Sequence, residues 1–469
     1  MPFDIRKLIE TREGENLELQ ANYINPKFAK VLKTIGFDQI YHKAHGPYLY
    51  DREGNEVIDF LSGYGVYGLG RNHPEIKRTL KEFTDLDYPN LIQMEAPLLS
   101  GLLAEALIKK VNVEGVNKVF LTNSGTEAIE CAIKYAHCAT GRPRILFWDH
   151  AFHGLSNGSL SLNGNAEFRD GFGALLPGCD KIPFNDLNAL EAELKKEDVA
   201  AFVFEPIQGK GVYVPSDDFF PEAQKLCRKY GTLLIADEIQ TGLGRTGKWF
   251  AFQHWNIEPD IITIAKALSG GIIPIGATLC REEIYNKVFS RMDRCVVHSS
   301  TFGQNTFAAV MGLATLHIIE EENLVEKAGL LGNQLIEKLK ALVPKHEWIK
   351  EIRGKGLMVG IELGKPESLK KRIAWNLVHK MDKGLFGELI VMPLMSKHRF
   401  ITQVSGHHQD IVKLLPPYVI TDDHINKFVN ALDSVLSDCD KIAGPMWEMG
   451  KNLAKASWMD KQDKQVVSS

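Results

Sequence analysis

The sequence lacks several features that would set it apart from ordinary globular proteins. No window approaches 18 uninterrupted apolar residues, which argues against a membrane-spanning helix. Basic residues have no surplus, because 55 Lys and Arg stand against 59 Asp and Glu, a net charge of −4. Neither nucleic acid nor a membrane is therefore an expected partner. The first twenty residues also lack the apolar segment that is typical of a signal peptide.

Cysteine is scarce, with seven residues, an odd number, and no CxxC pair. The nearest pair, Cys131 and Cys138, is too widely spaced for the usual zinc motif, and we expect no metal site. Unpaired thiols are typical of a reducing compartment, so the sequence predicts a cytoplasmic protein.

The length of 469 residues is enough for two to four domains, or for one large domain with a smaller companion. We expect an N-terminal arm with part of the small domain at residues 1–95 and a large α/β domain at 96–335. A smaller α+β domain is expected at 336–445 and a polar tail at 446–469. The turn-rich stretch within residues 47–61 predicts a β-hairpin.

Short apolar runs alternate with amphipathic segments between about residues 117 and 280. This alternation predicts a mainly parallel sheet with helices on both faces. A helix at about 304–345 is expected to leave this domain, and residues 349–363 predict a hairpin or two adjacent strands in the smaller domain. The apolar runs occupy residues 118–122, 144–149, 200–205, 232–237 and 260–266.

Polar or aromatic side chains follow each of these five runs. The carboxyl ends of parallel strands meet at one edge of a sheet, where ligands bind. We therefore expect one site at this edge, built from Ser124, Gly125, Thr126, Phe152, His153, Glu205, Asp237 and Lys266.

Two of these residues suggest a specific chemistry, although each also has a plainer explanation. Lys266 could reach solvent from a strand end, as lysines usually do. A desolvated lysine instead has a lowered pKa and becomes a nucleophile toward an aldehyde. Asp237 could cap a helix or pair with a lysine. A carboxylate against a pyridine nitrogen would keep that nitrogen protonated and make the ring an electron sink.

The remaining edge residues leave similar alternatives open. Residues 124–126 fit a helix N-cap, and the same amides and hydroxyls suit a phosphate group. Phe152 could fill the core or stack on a flat ring. His150 and His153 have HxxH spacing but no acidic residue in ligand register, which argues against a metal.

Two glycine-rich motifs resemble nucleotide-binding loops, but each fails a requirement of its class. Residues 63–68 fit GxGxxG, yet the helix expected after them starts only at Pro74. Residues 242–248 fit GxxxxGK, but Trp249 stands where Ser or Thr must hold Mg²⁺.

Six segments in this order resemble class III (omega) aminotransferases, and the likeness covers roughly residues 25–435. The segments read NSGTEAIECAIK, AFHG, EPIQGKG, ADEIQTGLGRTG, IAKALSGG and HSSTFGQN. The motifs are most similar to the putrescine/ornithine branch. The resemblance implies the fold type I of pyridoxal-phosphate-dependent transferases, a large α/β domain with a mainly parallel sheet between helices plus a smaller α+β domain.

The resemblance also implies a role for each matching residue. Lys266 would be the Schiff-base lysine and Asp237 the partner of the pyridine nitrogen. Thr301 would reach the phosphate of the neighbouring subunit's cofactor, which makes the expected protein a homodimer. Other expected cofactor residues are Ser124, Gly125, Thr126, Phe152, His153, Glu205, Ile239 and Gln240, with Glu205 on the substrate side and Tyr64 in the substrate pocket.

Two positions depart from the family pattern. Lys210 stands where many members have glutamate, and Lys413 stands where many have a carboxylate-clamping arginine. Two lysines cannot form the ion pair that the family's glutamate and arginine can form. A lysine is also a point charge, whereas an arginine can bind a carboxylate through two parallel N–H groups. We expect both lysines to contact substrate, with altered binding of α-carboxylates.

The sequence therefore predicts an aminotransferase that moves an amino group from an amine, diamine or omega-amino acid to a 2-oxoacid through pyridoxal 5′-phosphate. An aminomutase, epimerase or decarboxylase would use the same cofactor residues. A NAD(P) dehydrogenase on a similar sheet and a non-catalytic protein that keeps the fold are more distant alternatives.

Overall fold

The computed structural model describes residues 2–92, 94–381, 383–406 and 409–441. The predicted polar tail at 446–469 lies outside these residues. The predicted domain boundaries stay a prediction. The strands are β1 (Lys43–His45), β2 (Tyr48–Tyr50), β3 (Glu56–Asp59), β4 (Val116–Thr122), β5 (Arg144–Trp148), β6 (Cys179–Ile182), β7 (Val199–Phe204), β8 (Leu233–Asp237), β9 (Ile261–Ile264), β10 (Gly276–Arg281), β11 (Ile349–Lys355), β12 (Met358–Leu363), β13 (Phe400–Ile401), β14 (Gln403–Val404) and β15 (Ile411–Leu414).

Helices surround the strands and form the N-terminal arm. They are α1 (Ile5–Arg12), α2 (Asn16–Leu19), α3 (Pro26–Ile35), α4 (Ser62–Gly65), α5 (Pro74–Asp85), α6 (Leu98–Val111), α7 (Gly125–Thr140), α8 (Asn157–Ser161), α9 (Leu187–Leu194), α10 (Phe219–Tyr230), α11 (Glu282–Val288), α12 (Thr306–Glu321), α13 (Leu324–Lys340), α14 (Leu369–Met381), α15 (Leu385–Ser396) and α16 (Asp422–Cys439). Among the described helices, none has the length and apolar character needed to cross a membrane.

The largest sheet has the strand order β4-β10-β9-β8-β7-β5-β6. All of its strands are parallel to one another except β10, which runs antiparallel to both β4 and β9. The prediction of a mainly parallel sheet is confirmed. The apolar-run pattern missed β6 and β10, because β6 has two charged residues at its centre and β10 begins with small ones.

Both faces of this sheet are covered, and the side chains of each strand alternate between the two faces. Phe147 packs in a core cluster with α7, whereas its neighbour Trp148 packs in the cluster on the other side. Val203 and Phe204 divide between the two clusters in the same way. The strands are therefore apolar throughout, which is why their sequence pattern was easy to detect.

The two predicted hairpins are present, and both belong to smaller sheets. Strands β2 and β3 pair antiparallel within residues 47–61, and β11 pairs antiparallel with β12 within 349–363. Strand β13 then pairs parallel with β3. The N-terminal segment therefore shares a sheet with a strand from near the C-terminus.

The single helix expected at about 304–345 is wrong, because the chain forms α12 and α13 there. The break lies at Asn323, whose φ of 52° is in the left-handed region. Asparagine tolerates that region better than most residues, and a helix cannot continue through it.

The glycine run at 63–68 follows β3, which belongs to a small sheet and not to the large parallel one. The next long helix, α5, begins only at Pro74. Helix α4 overlaps the run but spans only four residues, with left-handed φ at Gly63 and Tyr64. These described residues therefore lack the long helix that starts inside the glycine run of a dinucleotide-binding turn.

Candidate active site

A cavity of about 610 Å³ opens at the carboxyl ends of β4, β5, β7, β8 and β9. Every residue that the sequence placed in the site lines this cavity, with the exception of Thr301. The polar groups that follow five separate strands therefore meet in one place, as the parallel topology requires.

Lys266 comes two residues after the end of β9, on a single turn of 3₁₀ helix at Lys266–Ser269. Its φ of 46° is left-handed, a conformation that costs energy for a residue with a side chain. Burial lowers the pKa of its amine, although Asp237 and Glu205 act in the opposite direction. Within the described part of the chain no hydrogen bond or ion pair engages the amine. The amine is thus held in the cavity as a nucleophile or base.

Asp237 ends β8 and is 3% exposed. Its Oδ2 lies 2.7 Å from Nδ1 of His153, and its Oδ1 accepts a hydrogen bond of 3.0 Å from the backbone N–H of Ile239. Burial lowers the pKa of His153, but the hydrogen bond and charge of Asp237 outweigh this effect and leave the pKa raised. These two contacts therefore fix the orientation of the Asp237 carboxyl group at the cavity wall.

The N-terminus of α7 forms another wall of the cavity. Ser124 caps the helix, as its Oγ accepts a 3.3 Å hydrogen bond from the N–H of Glu127. Thr126 Oγ1 lies 2.6 Å from both Ser156 Oγ and Ser159 Oγ. A Cβ at Gly125 would come within 2.9 Å of Ile239. Unpaired amides, clustered hydroxyls and a close glycine suit a phosphate. The N-cap explanation and the phosphate explanation are therefore compatible.

Phe152 lines the cavity rather than the main core. Its backbone N–H donates a 3.0 Å hydrogen bond to Oε1 of Glu205, and its ring meets Phe168 edge-on with centroids 5.4 Å apart. The amine of Lys210 lies 5.4 Å from the ring centre of Phe152 and 4.9 Å from that of Phe168. The two rings and the lysine form one cation–π group.

Glu205 follows β7 and binds two loops at once. Its Oε1 accepts from Phe152, and its Oε2 accepts a 2.7 Å hydrogen bond from the N–H of Gly209. Burial raises the pKa of this carboxyl. Glu205 therefore orders the walls of the cavity as well as lining it.

Lys413 lies in β15, deep in the cavity wall and 5% exposed. Its Nζ donates a 2.8 Å hydrogen bond to the carbonyl of Gly209 and lies 3.5 Å from Oε1 of Gln240. Burial, together with the charges of Lys210 and Lys266, lowers the pKa of Lys413 to about 7. This lysine is already committed to the protein's own backbone.

Tyr64 and Gln240 connect two segments that are far apart in sequence. Gln240 Nε2 donates a 3.0 Å hydrogen bond to the carbonyl of Tyr64, and the Tyr64 hydroxyl accepts one of 3.2 Å from Gln403. Tyr64 also has a left-handed φ of 61°. Its half-exposed ring lines the cavity, and its contact with substrate stays a prediction.

Thr301 is exposed and does not line the cavity of its own chain. Its expected role toward a neighbouring subunit stays a prediction. The HxxH pair is divided, since His153 binds Asp237 while His150 stacks on Tyr213. No cluster suited to a metal ion occurs among the described residues.

Sequence reasoning missed two residues that shape the cavity. Phe168 supplies the second ring under Lys210, from a short loop with no motif. Ser405 accepts a 2.8 Å hydrogen bond from the N–H of Gly211 and so holds the loop after β7. Both come from irregular segments, where periodicity gives no signal.

Known proteins resemble the chain in sequence and in structure. It is 34% identical over 462 residues to aminotransferase PigE of Serratia sp., covering 92% of this chain but only 54% of that relative, so the chain spans about half its length. It is 36% identical over 368 residues to the putrescine aminotransferase of Pectobacterium atrosepticum, 75% of this chain and 78% of that one. The ornithine aminotransferase of Toxoplasma gondii superimposes with a TM-score of 0.79 at 27% identity, covering 94% and 99% of the two chains.

A family model described as aminotransferase class III matches residues 33–436, which is most of the chain. This match agrees with the extent that the six motifs indicated. The α/β architecture with a large, mainly parallel sheet is the fold type I arrangement that the motifs implied. The chain therefore belongs to the class III aminotransferase family.

Proposed function

We propose that the protein is a pyridoxal-5′-phosphate-dependent aminotransferase that moves an amino group from an amine to a 2-oxoacid. One observation carries this proposal: Asp237, a buried carboxylate, ends β8, and Lys266, a desolvated lysine with no partner among the described residues, follows the adjacent β9 into the same cavity. Such a lysine can bond to an aldehyde, and such a carboxylate can hold a proton on a ring nitrogen.

The residues present fit the cofactor. The buried Nε2 of His153 has no hydrogen-bond partner among the described residues, and the first residues of α7, Gly125 and Thr126, line the cavity. The α7 N-terminus with Ser124, Gly125 and Thr126 would hold the phosphate, and Asp237 the pyridine nitrogen. Phe152 and Ile239 would lie on the two faces of the ring, and Gln240 would reach its phenolic oxygen. When bound, this cofactor supplies an electron sink next to the substrate carbon.

The chain's own groups then move and hold protons. Lys266 Nζ, with a pKa lowered by burial, can accept the proton of the substrate carbon that bears nitrogen and return it on the far side of that nitrogen, two atoms away. The Asp237 carboxylate, held through Oδ2 by His153 Nδ1, would keep a proton on the ring nitrogen throughout. Ile239 and Phe152 give the cavity apolar walls beside these groups.

We also propose that the enzyme is a homodimer in which Thr301 reaches the neighbouring subunit's phosphate. Thr301 is exposed, and the adjacent Phe302 is 54% exposed, as is nearby apolar Val296 at 69%. Exposed apolar side chains in one segment are typical of a covered interface. All seven cysteines are unpaired, which supports the predicted cytoplasmic location.

The test uses the purified protein loaded with pyridoxal 5′-phosphate. We expect a visible absorbance that borohydride fixes on Lys266, identified by peptide mass. Amine donors such as diamines, omega-amino acids and long-chain amines should each be tried with pyruvate and 2-oxoglutarate, and turnover should follow ping-pong kinetics. A label on another lysine, or turnover that needs no 2-oxoacid, would contradict the proposal. The second result would favour a mutase, epimerase or decarboxylase.

A further inference from the structure

The loop that follows β7 is fastened to the protein from several sides. Gly209 donates to Glu205 and accepts at its carbonyl from Lys413 Nζ at 2.8 Å. Ser405 accepts from the N–H of Gly211, whose carbonyl in turn accepts a 2.7 Å hydrogen bond from Arg353. The backbone on both sides of residue 210 is therefore fixed.

The role of Lys413 follows from these contacts. Its amine is buried, and its short hydrogen bond goes to the loop carbonyl rather than into open cavity. A second contact, at 3.5 Å, goes to Gln240. Lys413 positions the loop, and its hydrogen bond to Gly209 makes its amine less available to a substrate than an amine without such a bond.

Lys210 is in the opposite situation. Its ammonium group rests on the rings of Phe152 and Phe168, and within the described residues it has neither a hydrogen bond nor an ion pair. An ammonium group carries three donors, and aromatic faces leave most of them free. The two rings therefore hold the cation at the cavity wall with its donors available.

No carboxylate of the cavity forms an ion pair with this cation among the described residues, although the charge of Glu205 acts on it from a distance and partly offsets the effect of burial on its pKa. Glu205 already accepts from two backbone N–H groups, and Asp237 is paired with His153. Burial lowers the pKa of Lys210, which means that its charge is incompletely solvated. A bound anion would lower the free-energy cost of burying this charge, whereas a second ammonium group would increase that cost.

We propose that Lys210, and not Lys413, contacts the anionic end of the substrate, so that the pocket selects carboxylate-bearing substrates over those with a second ammonium group. This inference rests on the proposed function, because it concerns the substrate side of the same cavity. The other anion of such a reaction, the cofactor phosphate, has its own place at the α7 N-terminus.

The first test measures binding without turnover. The cofactor-loaded protein is titrated calorimetrically with butanoate and with butanamide, its uncharged counterpart. We expect butanoate to bind at least tenfold more tightly, and Lys210→Gln to reduce this preference to twofold or less. Lys210→Arg should restore the preference, and Lys365→Gln, at an exposed lysine, should keep it. The proposal would be overturned if the wild type bound butanoate no more tightly than butanamide. It would also be overturned if Lys413→Met lost the preference for butanoate while Lys210→Gln kept it.

The second test compares two acceptors that differ by the carboxylate, 2-oxobutanoate and propanal. Lys210→Gln should lower kcat/KM for 2-oxobutanoate at least tenfold more than for propanal. If Lys210→Gln lowers kcat/KM equally for both acceptors while the wild type is active, the assignment of Lys210 is wrong and the proposed function stands. If the wild type transfers no amino group at all, the proposed function itself fails. Weaker cofactor retention in Lys210→Gln, with an unchanged acceptor ratio, would make Lys210 a cofactor residue and also overturn the proposal.

Discussion

His153 Nδ1 lies 2.7 Å from Oδ2 of Asp237, and neither side chain is more than 3% exposed. The contact joins the loop after β5 to the end of β8. The other carboxylate oxygen accepts from the N–H of Ile239, so the orientation of Asp237 is fixed at both oxygens. Such support makes a charged carboxylate at this position stable in a buried setting.

Replacing the carboxylate of Asp237 should therefore lower kcat more than replacing His153, which supports it. We expect Asp237→Asn to lower kcat on the order of 10³-fold, because an amide cannot hold a proton on a ring nitrogen. His153→Leu should cost about 10–100-fold, as partners of a functional group commonly do. His153→Asn, whose N–H can replace Nδ1–H, should recover most of this loss. Equal activity of Asp237→Asn and the wild type in steady-state assays would refute the role of Asp237.

Lys266 should be indispensable, because it is expected to serve as both nucleophile and proton carrier. We expect Lys266→Ala to lower turnover by about 10⁴-fold or more. Lys225→Ala, at an exposed lysine that pairs with Glu222, is the matched control and should have wild-type rates. Thermal unfolding of both variants checks that the loss is not one of folding. Retained turnover in Lys266→Ala would remove the central residue of the mechanism.

The phosphate cradle can be tested at a glycine. A Cβ at Gly154 would come within 2.5 Å of Thr126 Oγ1 and 2.7 Å of Ser159 Oγ, so Gly154→Ala must push the hydroxyls apart. We expect pyridoxal 5′-phosphate to bind at least about tenfold more weakly, measured by absorbance after dialysis, for a cost of about 1.4 kcal/mol. Gly171→Ala is the control, since Gly171 also has a positive φ but has open space around it. Similar losses in both variants would point to backbone strain alone.

The stability of the protein should depend on pH through Lys413. Burial lowers its folded-state pKa to about 7, while the unfolded value is about 10.4. Between these values the unfolded chain binds more protons, so the free energy of unfolding rises with pH. The cost of burying Lys413 is complete below about pH 7 and disappears as pH approaches 10.4.

The substitution Lys413→Met removes the free-energy cost of burying a charged amine, along with the hydrogen bond to Gly209. We expect the Tm of the variant minus that of the wild type to fall by about 2 °C or more between pH 7 and pH 9.5. The difference removes the contribution of all other titrating groups to first approximation. A Tm difference that does not change with pH would show that Lys413 is neutral or paired throughout.

The sequence alone determined the class of fold and much of the site. Apolar strands that alternate with amphipathic helices specify a parallel sheet, because only strands covered on both faces are apolar throughout. Once the strands are known, the residues that follow them must share an edge, and this placed Lys266, Asp237 and residues 124–126 together. The six motifs and their order then indicated the chemistry, because they resemble those of class III aminotransferases. The two strands that were missed, β6 and β10, lack a continuous apolar run.

Only the tertiary structure decided how the charges are used. Lys210 and Lys413 look equivalent in the sequence, as two lysines that replace a family pair. One proves to be bonded to Gly209, and the other rests on two rings, one of them Phe168 from a loop with no motif. Such pairings depend on distances between segments remote along the chain. Local pattern cannot encode these distances, because packing sets them only when the whole fold closes.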